Sequence, residues 1–221
     1  MTVMDNPPTQ STTVPELETV DRDGHLPTST SYTISVDDDA TNAILAEREF
    51  LTALLWAPPE TTRAVLAAIL GSPTPAATAD TDTRITDRSA LLLHPTHRIL
   101  FSAIADMVNE GQPITPALVL ARADADSTTR RHRQLVRALL VDLTAPSGYA
   151  HPHHGLILPR LASALVEAWY RRGYIRFIDR MRQGMTELPT HELASMRDDL
   201  VAMSRAADTR MLAITDRLAR I

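Results

Sequence analysis

The feature that most constrains the fold is a long apolar repeat near the C-terminus. From Leu193 to Ile221, apolar residues recur at steps of three and four, which is nearly the heptad spacing of a helix packed along a partner helix. A second helical pattern runs from about 159 to Gln183, and "GMTELPT" between the two patterns predicts a turn. We therefore expect two long antiparallel helices that form a hairpin over residues 159–221.

The first arm of this hairpin has apolar residues on two sides of a polar stripe, whereas an isolated hairpin needs only one apolar face. Such a helix requires a further neighbour, which is either the globular part of the chain or another chain. The expected partner-interface residues are those with more apolar surface than one hairpin can bury: Val166, Trp169, Tyr170, Phe177, Leu200 and Met203. Oligomerisation through the hairpin, as a dimer or a higher homo-oligomer, follows as a hypothesis.

The sequence before the hairpin predicts a helical globular domain over residues 41–145. Apolar residues recur at helical spacing in several segments. Pro58-Pro59 ends the first of these segments and Gly71 ends the second. Asp39 or Thr41 is the expected N-cap of the first helix. The whole chain is thus predicted to be all-α, with a small globular helical domain followed by the long antiparallel hairpin.

Local signals refine these boundaries. Thr115 is a predicted N-cap with Pro116 at the first helical position, and Ser127 is the predicted N-cap of the next helix. Residues 72–90 and 144–155 lack a helical period and are interpreted as loops. Residues 1–40 are rich in Thr, Ser, Pro and Asp without a sustained period, so they are interpreted as a disordered acidic tail.

The composition excludes several kinds of chemistry. The chain has no cysteine, and all 22 of its basic residues are arginine, so there is no thiolate zinc site, no Schiff-base lysine and no phosphate-binding P-loop lysine. No serine lies in a G-x-S-x-G motif. No apolar run approaches the length of a membrane span. We expect a cytoplasmic protein that is not an enzyme and binds no cofactor.

Charge is distributed unevenly along the chain. Residues 1–40 hold eight acidic residues and one arginine. The first hairpin arm carries a basic stripe, whose central members are Arg171, Arg172, Arg176 and Arg180. This stripe is a solvated helix face, a surface for acids of a partner or of the chain's own tail, or a contact for nucleic-acid phosphates. Direct nucleic-acid binding is not favoured, because the nearby aromatic residues fit the apolar faces better.

Two groups of histidines are candidate metal or pH-sensing sites. His94 and His97 lie near a predicted helix start, where a buried histidine that orders the helix is the preferred interpretation. His151, His153 and His154 lie in a predicted loop, and four-coordinate zinc would need a further ligand there. No metal site is therefore predicted.

Several motifs together resemble the N-terminal domain of DnaB-type replicative helicases. "AEREFLTALL" at 46–55 is similar to the opening helix of that family, and "HRILF" at 97–101 is similar to its H-R-x-[IL]-F helix start. "EGQPIT" at 110–115 resembles the family's G-x-P-[IV]-D connection. "LASALVEAWYRRG" at 161–173 resembles the segment that opens the family's helical hairpin.

The resemblance implies a role in DNA replication without catalysis. In that family the domain forms a collar on the helicase ring by pairing hairpins, and it is a docking surface for primase and loading factors. The ATPase motor of the family is a separate C-terminal part, which this chain is expected to lack. The resemblance therefore implies an interaction module that associates with a replicative helicase or primase. A DNA-binding regulator that uses the arginine-rich helix is the alternative.

Overall fold

A computed structural model describes residues 36–71, 84–125, 132–145 and 154–221. These residues form helices and no strand, which confirms the all-α prediction. The helices are α1 (Val36–Trp56), α2 (Pro59–Leu70), α3 (Arg88–Leu91), α4 (Pro95–Asn109), α5 (Pro116–Ala125), α6 (Arg133–Thr144), α7 (His154–Glu187) and α8 (Thr190–Ala219). The disordered tail was predicted over residues 1–40, but residues 36–40 form the start of α1. The rest of the predicted tail, residues 1–35, and the N-cap predicted at Ser127 lie outside the described residues.

Sequence signals set most helix ends. Gly71 ends α2 with a φ of 84°, a left-handed conformation that glycine adopts without steric cost. Pro95 and Pro116 stand at the first helical positions of α4 and α5, where the missing N–H leaves no hydrogen bond unmade. Thr115 Oγ1 accepts a hydrogen bond from the N–H of Leu118 at 3.3 Å, which confirms the predicted N-cap.

The predicted ends of α1 and α7 were wrong. Helix α1 begins at Val36 rather than after Asp39. Helix α7 begins at His154, inside the predicted 144–155 loop, and includes Pro159. Because Pro159 is near the start of α7, its missing N–H removes a hydrogen bond from the second turn only. At its other end α7 continues into the predicted turn, residues 184–190, and ends at Glu187.

The core lies where α1, α2, α4 and the first half of α7 meet. Phe50 of α1 and Phe101 of α4 are fully buried, with ring centroids 6.0 Å apart. The end of α8 returns to this core, where Leu218 is buried and Arg217 Nε donates a hydrogen bond to the carbonyl of Ala68 at 3.0 Å. Since Ser35–Ile221 form one compact unit, the predicted boundary between the globular domain and the hairpin stays a prediction.

Helices α7 and α8 pack along one another as an antiparallel hairpin, as predicted. Near its tip, Gly184 is buried because Met196 of α8 occupies the space where a side chain would be. A Cβ placed on Gly184 would lie 2.0 Å from Met196 Sδ. Nearer the core, Tyr170 Oη donates a hydrogen bond to Asp208 Oδ1 at 2.6 Å. These two contacts fix the alignment of the arms.

Candidate interaction surface

A buried polar cluster connects α1 to the start of α4. Glu47 is 1% exposed, and its two carboxylate oxygens accept hydrogen bonds from the backbone N–H groups of Leu93 and His94. Its Oε2 also lies 2.8 Å from Nδ1 of His97, which is itself buried. The carboxylate therefore satisfies donors that would otherwise be buried without partners.

Two arginines bind the carbonyl groups of the same short segment. Arg98 Nε donates to the carbonyl of Leu92 at 2.7 Å, and Arg172 Nη2 of α7 donates to that of Leu91 at 2.6 Å. Burial lowers the pKa of Arg172, while the charge of Glu47 raises it. An arginine keeps its charge in such a site. Residues 91–94 are thus held by side chains from α1, α4 and α7.

This cluster explains the histidines near the start of α4. His97 is the buried, helix-ordering histidine that the sequence predicted, and its ring lies 4.6 Å from the ring of His94. Burial and the neighbouring His97 lower the pKa of His94, against the opposing effect of Glu47. Within the described ranges, no group of three potential ligands could hold a metal ion. His151 and His153 lie outside those ranges.

The two halves of α7 differ in their surroundings. In the first half, Leu158, Leu165 and Val166 are buried in the core, and Trp169 is partly buried against it. The globular part of the chain is therefore the additional neighbour that this half of the helix required. Beyond Arg172, the helix has left the core and packs on α8.

The second half of α7 exposes apolar side chains on one side. Tyr174 is 48% exposed, Ile178 43% and Met185 70%, and Ile175 lies beside them at 55%. Steps of four and seven along a helix return to nearly the same side. The ring of Tyr174 stacks on that of Phe177 with centroids 5.7 Å apart. We call Tyr174, Ile175, Ile178 and Met185 the distal apolar face.

The predicted interface residues fall into different environments. Val166 and Leu200 are buried inside the chain and offer a partner almost no surface. Trp169, Tyr170 and Phe177 are partly exposed, and Met203 is 56% exposed. The interface itself stays a prediction. The predicted interface did not include the distal apolar face, although its spacing from Tyr170 was visible in the sequence.

The basic stripe is likewise divided. Arg172 is engaged with main-chain carbonyls, whereas Arg171, Arg176 and Arg180 are exposed. Because a helix turns by about 100° per residue, Arg176 and Arg180 follow the side of Arg172, while Arg171 lies on the side of the distal apolar face.

The fold defines an all-α protein in which a helical globule carries an antiparallel hairpin. Within it, residues 57–151 match the family described as DnaB-like helicase N terminal domain, which confirms the resemblance inferred from the motifs. The match covers α2 to α6. The resemblance of α1 and of the hairpin rests on their motifs.

No curated protein and no solved structure matches the chain. Across the ranges that the structure describes, no helix is both long enough and apolar enough to cross a membrane.

Proposed function

We propose that the protein is a non-catalytic interaction module of DNA replication, which acts in the cytoplasm and associates with a replicative helicase or primase. The family match over residues 57–151 supports the link to replicative helicases. The observation that carries the proposal of an interaction surface is the distal apolar face, which has no cover within the described part of the chain.

The exposed area is large enough to matter for binding. Fully burying one large apolar side chain contributes roughly 1.5–3 kcal/mol, and the four residues of the distal apolar face are each about half exposed or more. Aromatic residues at the centre of such a face are typical anchors of protein interfaces. Tyr174 and its stacked neighbour Phe177 are the proposed anchors, with partly exposed Tyr170 beside them.

Self-association is part of this proposal. Two copies that pair their hairpins would cover the distal apolar face of each with that of the other, as expected of an isologous contact. The same face would otherwise bind helicase or primase directly. Met203 lies on α8 and extends the candidate surface onto the second arm.

The test is a single substitution with a matched control. Ile178→Asp places a charge on the distal apolar face, and Leu135→Asp places the same charge on α6, where Leu135 is 58% exposed. Ile178→Asp is expected to weaken self-association, or the capture of purified helicase or primase, by at least about tenfold, since a buried unpaired charge costs several kcal/mol. Leu135→Asp is expected to leave both unchanged.

Sedimentation velocity measures the self-association and surface-immobilised helicase or primase measures the capture, while circular dichroism verifies folding. The proposal fails if both variants are folded and bind equally well. It also fails if the unmodified chain stays monomeric at high concentration and captures neither protein.

A DNA-binding regulator is the second candidate, because Arg171, Arg176 and Arg180 remain exposed on α7. This function predicts DNA affinity that falls steeply with salt, since each neutralised phosphate releases counterions. The interaction module predicts little DNA affinity at physiological salt. Titrating a labelled duplex at two salt concentrations distinguishes the two functions.

A further inference from the structure

Two exposed arginines of α7 lie among the members of the distal apolar face. On a helix, residues three or four positions apart are neighbours. Arg171 lies three residues before Tyr174, at the start of the face. Arg182 lies four residues after Ile178, near its end. The apolar side chains of this face are therefore accompanied by positive charge along α7.

Helix α8 adds a third arginine beside the same face. The hydrogen bond between Tyr170 and Asp208 fixes which residues of the two arms lie opposite one another. Tyr174 lies one turn after Tyr170, toward the tip of the hairpin. Because the arms are antiparallel, Arg205 lies one turn before Asp208 and also toward the tip, so it is opposite Tyr174. Arg205 is exposed and borders the distal apolar face from the second arm. We call these three arginines the basic frame: Arg171, Arg182 and Arg205.

The charges of the basic frame are available to a partner. Within the described part of the chain, neither Arg171 nor Arg205 pairs with a carboxylate. Arg182 lies 3.8 Å from Asp179, but the side chains are 78% and 62% exposed. Such an exposed pair contributes little, so a carboxylate from a partner can replace it.

We propose that the partner of the distal apolar face is an acidic amphipathic helix, whose apolar stripe covers this face and whose carboxylates pair with the basic frame. The inference rests on the proposed function, since it names the chemistry of the segment that binds the same face. Charge complementarity selects this occupant. A second copy of the chain would bring its own basic frame against this one, and like charges across an interface weaken binding.

The dimensions and the chemistry of the face both suit a helix. Met185 lies eleven residues after Tyr174, which is roughly 17 Å at about 1.5 Å per residue. A helix of about 14 residues spans roughly 21 Å and can cover this length with one apolar stripe. Arginine favours carboxylates beside that stripe, because its guanidinium group can bind one carboxylate through two parallel hydrogen bonds.

Three synthetic peptides test the inference on the full chain. Each has about 14 residues and the same leucine stripe, and the residues beside the stripe are glutamate, glutamine or lysine. Fluorescence anisotropy measures the binding of each labelled peptide. At low salt the glutamate peptide is expected to bind about tenfold more tightly than the glutamine peptide, and the lysine peptide more weakly than both. Near 1 M salt, where the screening length is about 3 Å, this difference should largely disappear.

Charge reversal provides a matched pair of variants. Arg171→Glu with Arg205→Glu reverses two charges of the basic frame, whereas Arg176→Glu with Arg180→Glu makes the same change in net charge on another side of α7. The first pair is expected to abolish the preference for the glutamate peptide, and the second is expected to keep it. Equal effects of the two pairs would overturn the proposal, because the preference would then come from net charge alone. Circular dichroism verifies that both are folded.

Ile178→Asp distinguishes failure of this inference from failure of the proposed function. If the glutamine peptide binds as tightly as the glutamate peptide and Ile178→Asp prevents both, the face binds apolar helices but the inference is wrong. If no peptide binds while Ile178→Asp disrupts self-association, the occupant is a second copy and the inference is again wrong. If Ile178→Asp leaves the glutamate peptide bound, the peptide lies elsewhere and the inference fails, while self-association and the capture of helicase or primase still decide the proposed function.

Discussion

The two halves of α7 belong to one continuous helix but have different surroundings. From His154 to Arg172 the helix buries a row of apolar residues against α1 and α2. From Gly173 to Glu187 it contacts the other arm of the hairpin and exposes the distal apolar face. The first half therefore contributes to the stability of the fold, and the second half leaves apolar area exposed.

One continuous helix can therefore be part of the core in its first half and part of the surface in its second half, where it packs on one neighbouring helix, α8. Exposed apolar residues lower the solubility of a chain, so a distal face of this size needs a reason. If the two halves differ in this way, a substitution before Arg172 should lower stability more than the same substitution after it.

The largest effect is expected from Glu47→Ala, which removes the acceptor of two backbone N–H groups and of His97. Three buried groups left without their hydrogen-bond partner should lower the free energy of unfolding by about 3–5 kcal/mol. Urea denaturation measures the change. The exposed Glu49→Ala on the same helix should stay within about 0.5 kcal/mol, and a loss below about 1 kcal/mol for Glu47→Ala would mean that the cluster does not anchor α7.

The division between the halves is tested directly by Leu165→Ala and Ile178→Ala. Leu165 is 2% exposed, so its truncation leaves a cavity and should cost about 2–4 kcal/mol of unfolding free energy. Ile178 is 43% exposed, so the same truncation should cost less than about 1 kcal/mol. Thermal or urea denaturation at a concentration where the chain is monomeric compares them. Equal losses would remove the distinction between the two halves.

The two glycines of the second half should respond in opposite directions. Gly173 has open space around it, so Gly173→Ala should raise stability by up to about 1 kcal/mol through higher helix propensity. Gly184→Ala forces the flexible end of Met196 to move, so a net loss of about 1 kcal/mol is expected. Adding Met196→Ala to Gly184→Ala should recover part of the loss. Stabilisation by both alanines would show that the arms are loosely packed near the tip.

The smallest effect concerns the hydrogen bond between Tyr170 and Asp208, at the border of the two halves. Tyr170→Phe should cost about 0.5–1.5 kcal/mol, with Tyr174→Phe as the control. The hydrogen bond and the charge of Asp208 raise the pKa of Tyr170 in the folded chain.

The sign of the pH dependence follows from that shift. Since the folded chain holds the phenol proton more tightly, the contribution is fully present below the ordinary tyrosine pKa of about 10 and is lost as the pH rises through the raised value. Unfolding measured from about pH 8 to pH 11 should show a steeper loss for the unmodified chain than for Tyr170→Phe. If the free energy of unfolding falls equally with pH in both chains, the titration of Tyr170 does not contribute to stability.

Sequence reasoning predicted the elements better than the contacts. The near-heptad repeat of α8 and the proline and glycine signals around α2, α4 and α5 act locally, so they were visible in the chain. The start of α7 was missed because a proline at 159 indicates a helix start, whereas Pro159 lies in the second turn of α7, where one backbone hydrogen bond is lost.

The candidate surface was predictable only in part. Apolar periodicity located it on the hairpin, but it could not tell which residues the core would cover. Val166 and Tyr174 belong to the same side of the pattern, yet one is buried and the other is about half exposed. That outcome depends on where α1 ends beside α7, which is a long-range contact. The pairing of Glu47 with His97, fifty residues apart, is long-range for the same reason.

The shared anchoring of residues 91–94 has a mechanical consequence. Arg172 is near the midpoint of α7 and binds the main chain of Leu91, while Glu47 and Arg98 bind the residues that follow. The hairpin is therefore attached to residues 91–94 near the middle of α7. A force applied at the hairpin tip would act first on this short stretch of backbone at the start of α4.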